Sequence, residues 1–228
     1  MVQIGIPRLS KSIPVSTNLT LFFYSYFWEF TPLNILTIGL TLFLTPLIGL
    51  KVSPLLAATL GKRKTIIYLF AIAFIAENII ILMRVLNILP GNDSVFILPL
   101  VLIFHWIAIS AQIISYTNLA SMVFDTVEEV EKLTGRRMEG TLLAARSFAA
   151  KCMSGAGAFL AGLILSYSAW PKGAVAGEVE SSILNSVGLS AISISAILWL
   201  SAIFVFSKVK MTRASHEDNL GELNYSND

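Results

Sequence analysis

Five long apolar stretches, almost free of charge, constrain this chain more than any other feature: Thr31–Lys51, Ile66–Leu89, Val95–Phe124, Leu142–Ala169 and Ile183–Ser207. About 20 apolar residues of α-helix cross a bilayer, so each stretch is long enough, and several have room to tilt. The period-two alternation that a membrane barrel requires is absent. The expected fold class is therefore all-α, a polytopic membrane helical bundle. Composition agrees: 55% of the residues are hydrophobic and 13% charged, with a mean hydropathy of +0.76. A soluble domain would carry charge on about a quarter of its residues.

The stretch Leu19–Trp28 is apolar but too short to span, and it reads as the end of a further helix, at 19–29. Residues 1–18 hold Pro7, Arg8, Lys11 and Pro14 and have no signal-peptide core. The chain thus divides into an N-terminal segment 1–18, a membrane domain 19–207 and a polar, disordered tail 208–228. Lone Cys152 lies within a span and supports neither a disulfide framework nor a metal cluster.

Basic residues cluster at alternate ends of the spans. Lys62, Arg63 and Lys64 follow the first, Lys132, Arg136 and Arg137 follow the third, and Lys208, Lys210 and Arg213 follow the last. The intervening loops hold only Lys172. The positive-inside rule places the basic loops and the C-terminus in the cytoplasm, which makes a multi-pass protein of the inner or plasma membrane. The net charge of +2 is spread over membrane edges and indicates no nucleic-acid partner.

Two loops carry specific patterns. PLLAATLGKRKT, Pro54–Thr65, resembles the short signature between paired helices of the major facilitator superfamily, matching at Leu56, Ala57, Gly61, Lys62 and Arg63. Ala58 and Thr59 replace that signature's Asp and Arg, which removes its usual ion-pair latch. The segment Ser121–Lys151 is more specific. Met122 and Asp125, the run Thr134, Gly135, Arg137, Glu139 and Gly140, then Ser147, Phe148 and Lys151 resemble the joint between helices ten and eleven of the glycoside–pentoside–hexuronide:cation symporters, the melibiose-permease group. YFWEF (Tyr26–Phe30) and LMRVLNILP (Leu82–Pro90) read the same way. The resemblance covers Leu19 to Ser207 and implies the C-terminal half of a major facilitator fold, five full transmembrane helices plus part of one. The first half and most of helix seven are expected to be missing, through truncation, a mis-read frame, or because the chain is an orphan half.

The resemblance implies roles for named residues. Lys151, deep in helix eleven, is expected to face a cavity or a carboxylate, or else to meet a structural partner within this half, because a charge at that depth must pair or meet water. Tyr116 and Asn118 in helix ten are candidates for stacking on and hydrogen-bonding to a sugar, with Asn118 equally able to bridge two helices. Arg146 stands where the family often has an uncharged polar residue, so selectivity is expected to differ. Asp125 and Arg137 are expected to pair at the cytoplasmic mouth, with Glu139, as a gate. Outside the resemblance, Glu77 is expected to be protonated or bonded to a neighbouring helix. Arg84 reaches the outer interface, and His105 packs as a hydrogen-bonded residue. Ser154, Ala158 and Gly162 are expected to admit a close neighbour along helix eleven.

The implied function is half of a cation-coupled symporter for a sugar or small solute, working by alternating access. Its partners are the bilayer, an N-terminal half or a second copy, and the solute. Sodium or protons would drive it, and no cofactor is expected. The alternative is a non-transporting membrane fragment with structural interactions. No nucleophile–base pair, metal motif or phosphate loop supports an enzyme.

Overall fold

A computed structural model describes residues 19–136 and 138–208, without the side chains of Glu129, Leu133 and Lys208. The segments 1–18 and 209–228, and with them most of the tail, lie outside the described residues. All regular structure among the described residues is helical. Residues 19–22 form a short α-helical turn that widens into the π-helix Phe23–Phe27. Six α-helices follow: α1 (Pro32–Leu42), α2 (Thr45–Leu60), α3 (Lys62–Val85), α4 (Ile97–Thr134), α5 (Glu139–Tyr167) and α6 (Ser181–Lys208). Helices α1 and α2 form one apolar run, so five spans are long and apolar enough to cross a membrane.

The break between α1 and α2 has a local cause. Pro46 has no N–H to offer the carbonyl of Leu42, four residues back. The hydroxyl of Thr45 donates to that carbonyl instead, at 2.7 Å, and Thr45 is buried. A carbonyl left unbonded in hydrocarbon would cost several kcal/mol, so the hydroxyl makes the kink tolerable. At the start of α1, Thr31 caps the helix by accepting from the backbone N–H of Asn34.

Three expected boundaries are corrected. The run read as ending at Lys51 continues to Leu60, which places Lys51 inside the span. The loop expected over Pro54–Thr65 shrinks to Gly61, which ends α2 and starts α3 at φ 80°, a backbone angle that L side chains rarely adopt. The loop expected from Asp125 is helical as far as Thr134, because Glu and Lys are good helix formers and Val127 and Val130 keep one face buried. Gly135, left-handed at φ 64°, then ends the helix by donating to the carbonyl of Glu131.

Helix α4 is the centre of the bundle. It packs along α3 and α2, and α3 packs in turn on α6. Two buried clusters result. One gathers Phe23, Tyr24, Phe27, Trp28 and Phe30 with Ile80, Ile81, Val101 and Val187. The other sets Phe70 of α3 edge-on against Trp199 and Phe206 of α6, and includes Leu119 and Met122. The small-residue face of α5 does not meet a neighbour as expected. Ser154, Ala158 and Gly162 are exposed, and a Cβ at Gly162 would touch nothing among the described residues. The close approach occurs on α2, where a Cβ at Gly49 would lie 2.7 Å from Cγ2 of Ile113.

Gly49→Val should therefore lower stability by about 1–3 kcal/mol, since β-branched Ile113 cannot swing aside. Thermal unfolding in detergent measures this, and Gly162→Val, facing open space, should leave the midpoint unchanged.

Candidate functional site

One end of the bundle is held by the basic pair after Gly61. The Lys62 ammonium donates to both carboxylate oxygens of Asp125, at 2.8 and 2.6 Å. Its side chain is 33% exposed and that of Asp125 15%, so the pair is partly shielded from solvent. Arg63 donates through Nη2 to the backbone oxygen of Ser207, near the end of α6. Two adjacent cations at the start of α3 thus tie it to α4 and α6. The expected partner of Asp125, Arg137, lies outside the described residues. Glu139 opens α5 in its first turn, where a carboxylate suits the helix dipole, and is half-buried.

The helix-ten candidates turn inward among helices. Asn118 is 3% exposed, and its amide donates to Oγ of Ser53 on α2 at 3.0 Å and to the carbonyl of Ile114 at 2.9 Å. Of its two readings, the geometry matches the helix bridge. The ring of Tyr116 stands 6.0 Å from that of Phe70, against the second cluster. Neither side chain lies on an open face of the bundle.

Lys151 has the opposite placement. It is exposed on α5, thirteenth of 29 residues. Arg146, five residues earlier, is half-buried. Lys51 on α2, at the expected edge of the first span, is exposed as well. These helices are the barest in the bundle: 17% of the most apolar window is buried in Pro32–Leu60 and in Glu139–Tyr167, against 39% in α3.

Four helical segments line a half-open pocket, with Glu77, His105 and Tyr24 in its wall. The Gln112 amide of α4 donates to Oε2 of Glu77 at 3.4 Å, so Glu77 bonds to a neighbouring helix, one of its two expected states. The His105 ring lies 5.8 Å from that of Tyr24, edge-on. Asn78, beside Glu77, accepts from the hydroxyl of Ser195 on α6 at 2.9 Å. At the opposite end from Lys62, Arg84 donates to the carbonyl of Pro90 at 2.9 Å, and Asn92 donates to that of Phe27. Lys51, Gln112 and the partner of Asp125 escaped the sequence reading. Each depends on which faces meet across helices, and no spacing within a single helix encodes that.

Two measurements test these contacts. In a double-mutant cycle, Lys62→Met and Asp125→Asn should couple by about 1 kcal/mol, at the upper end for a partly exposed pair. Asn118→Leu should destabilise by about 1–3 kcal/mol, because it strands the buried Ser53 hydroxyl, and thermal unfolding reads the loss.

A protein-family model described as MFS/sugar transport protein matches residues 12–213. No curated protein and no solved structure matches the chain. The family match covers most of the chain and agrees with the five membrane-length helices. This chain is a multi-pass membrane protein and belongs to the MFS/sugar transport protein family.

Proposed function

We propose that the chain forms one half of an alternating-access transporter for a sugar-like solute, of the melibiose-permease type and driven by sodium or protons. The observation that carries this reading is the pair of exposed lysines on the two barest spans. Lys51 lies nine residues before Leu60, and Lys151 twelve residues after Glu139. At 1.5 Å per residue these are depths of about 14 and 18 Å, beyond comfortable snorkelling. An ammonium group facing lipid at that depth costs several kcal/mol. The two faces therefore suit a water-filled cavity and carboxylates on a second six-helix half, with the solute between them. Lys151 would contact the solute or the acids of the coupling site, and Arg146 would line the cavity nearer its mouth.

The Lys62–Asp125 pair would act as the inner gate, with Arg137 and Glu139 beside it. Superfamily members usually latch this end with an Asp and an Arg, whose places Ala58 and Thr59 occupy here. Lys62 and Asp125 supply the same kind of link from α3 to α4, partly shielded and breakable at modest cost. On this reading the basic-loop end and the C-terminus face the cytoplasm.

Uptake tests the proposal. The chain is reconstituted in liposomes with a six-helix first half from the same family, and labelled sugars are offered under a sodium or a pH gradient. Gradient-driven uptake is expected only with both halves present. It should fall about tenfold or more in Lys151→Gln and in Lys51→Gln, a loss of at least ~1.4 kcal/mol. Absence of uptake for every solute and gradient would favour a non-transporting structural role.

A further inference from the structure

The charges on the two barest spans are all of one sign. Along Pro32–Leu60 the one charged residue is Lys51, and on α5, past Glu139 in its first turn, they are Arg146 and Lys151. Between residues 35 and 60, and again between 140 and 167, there is no Asp, Glu, Asn or Gln. The carboxylate and amides that this half does hold at membrane depth are engaged between helices: Gln112 donates to Glu77, and Asn118 to Ser53. A lysine offers three donors and no acceptor, whereas the hydroxyls of a neutral sugar need acceptors as well. Lys51 and Lys151 lie at similar depths, about 14 and 18 Å from the basic-loop ends of their helices. Their surroundings differ. Lys51 stands among the exposed Leu47, Leu50 and Leu55, which bring it neither an acid nor a hydroxyl. Lys151 has the exposed Ser147 and Ser154 within a turn on the same face, and a Cβ at Gly155 would touch nothing among the described residues.

We propose that the solute is anionic, a sugar acid whose carboxylate pairs with Lys51 while its ring hydroxyls meet Lys151, Ser147 and Ser154. The inference rests on the transporter reading above and narrows its substrate class. An ammonium group at this depth needs an opposite charge, and the face that carries Lys51 supplies none. A neutral sugar would leave that charge unbalanced and would find no carboxylate or amide on either bare span to accept from its hydroxyls. A sugar acid brings the missing charge with it. The leucines around Lys51 strengthen the pair by keeping water away from it. Lys51 is thus a specificity-determining residue, selecting the charged solute over its neutral counterpart.

Probes matched in everything but the charged group test this. The chain is reconstituted with a six-helix first half, as above, under the same gradients. Labelled methyl glucuronide is compared with methyl glucoside, and methyl galacturonide with methyl galactoside, at neutral pH, where the carboxyl is ionised. Uptake of the acid should exceed that of its neutral partner about tenfold or more in at least one pair. Lys51→Gln should cut that ratio by about tenfold, and Lys51→Arg, which keeps the charge, should restore much of it. The ratio is decisive because a loss of folded protein lowers both members of a pair alike. Neutral probes taken up as well as or better than the acids would overturn the inference and leave the transporter reading standing, with the counter-charge of Lys51 on the partner half. A ratio unchanged in Lys51→Gln would also overturn it. Uptake of no probe at all would bring down both readings. If Lys51→Gln fails to assemble, Lys51→Met, with its unbranched apolar stem, supplies the same ratio.

Discussion

Helices in a hydrocarbon solvent gain nothing by exchanging lipid contact for leucine contact, and the rest of this structure depends on that constraint. What holds them is close fit and hydrogen bonds across helices. Each main contact of the bundle has such a bond. Asn118 joins α4 to α2 through Ser53, Gln112 joins α4 to α3 through Glu77, and Ser195 joins α6 to α3 through Asn78. The Lys62–Asp125 ion pair adds a second link between α3 and α4 at the basic-loop end. Individually these bonds are worth little, about 0.6 kcal/mol on average between membrane helices. They matter more for register, since a slipped helix would leave every one of them unmade in a medium without water.

The same constraint divides the molecule into two kinds of surface. The faces between α3, α4 and α6 are packed with aromatic residues and the buried amides of Asn78 and Gln112. The faces of α1–α2 and α5 stay open, and it is these that carry Lys51 and Lys151. The π-helical turn at Phe23–Phe27 sits where the core meets the half-open pocket. Trp28 there donates to the carbonyl of Phe23, five residues back. That wider turn adds a residue to the helix and changes which side chains face inward, with Tyr24 among the lining residues.

Much of the fold was legible because hydrocarbon thickness is a strong filter. A run such as Ile183–Ser207 has few other fates, and α6 occupies Ser181–Lys208. The boundaries that differ lie where charged residues continue a helix. Asp125, Glu128 and Lys132 look like a solvated connection, yet such residues extend a helix beyond a membrane without penalty so long as one face stays apolar. Pro54 looked like the start of a turn, but a proline within a span is tolerated when neighbouring groups absorb the lost hydrogen bond. The candidate site was less legible than the spans. Lys151 announced itself by its depth, whereas the partners of Asn118 and Asp125 lie 65 and 63 positions away along the chain.

By itself, the sequence determined the solvent this protein folds in, the number of spans and the family motifs, because apolar length and short loop patterns are written along one dimension. Only the tertiary structure decided which polar groups meet. It turned Asn118 into a bridge, gave Asp125 a lysine, left Lys51 and Lys151 uncovered, and brought Tyr24, Glu77 and His105 around one pocket. The reason is geometric: helix rotation and register set these contacts, and both come from packing among several helices at once.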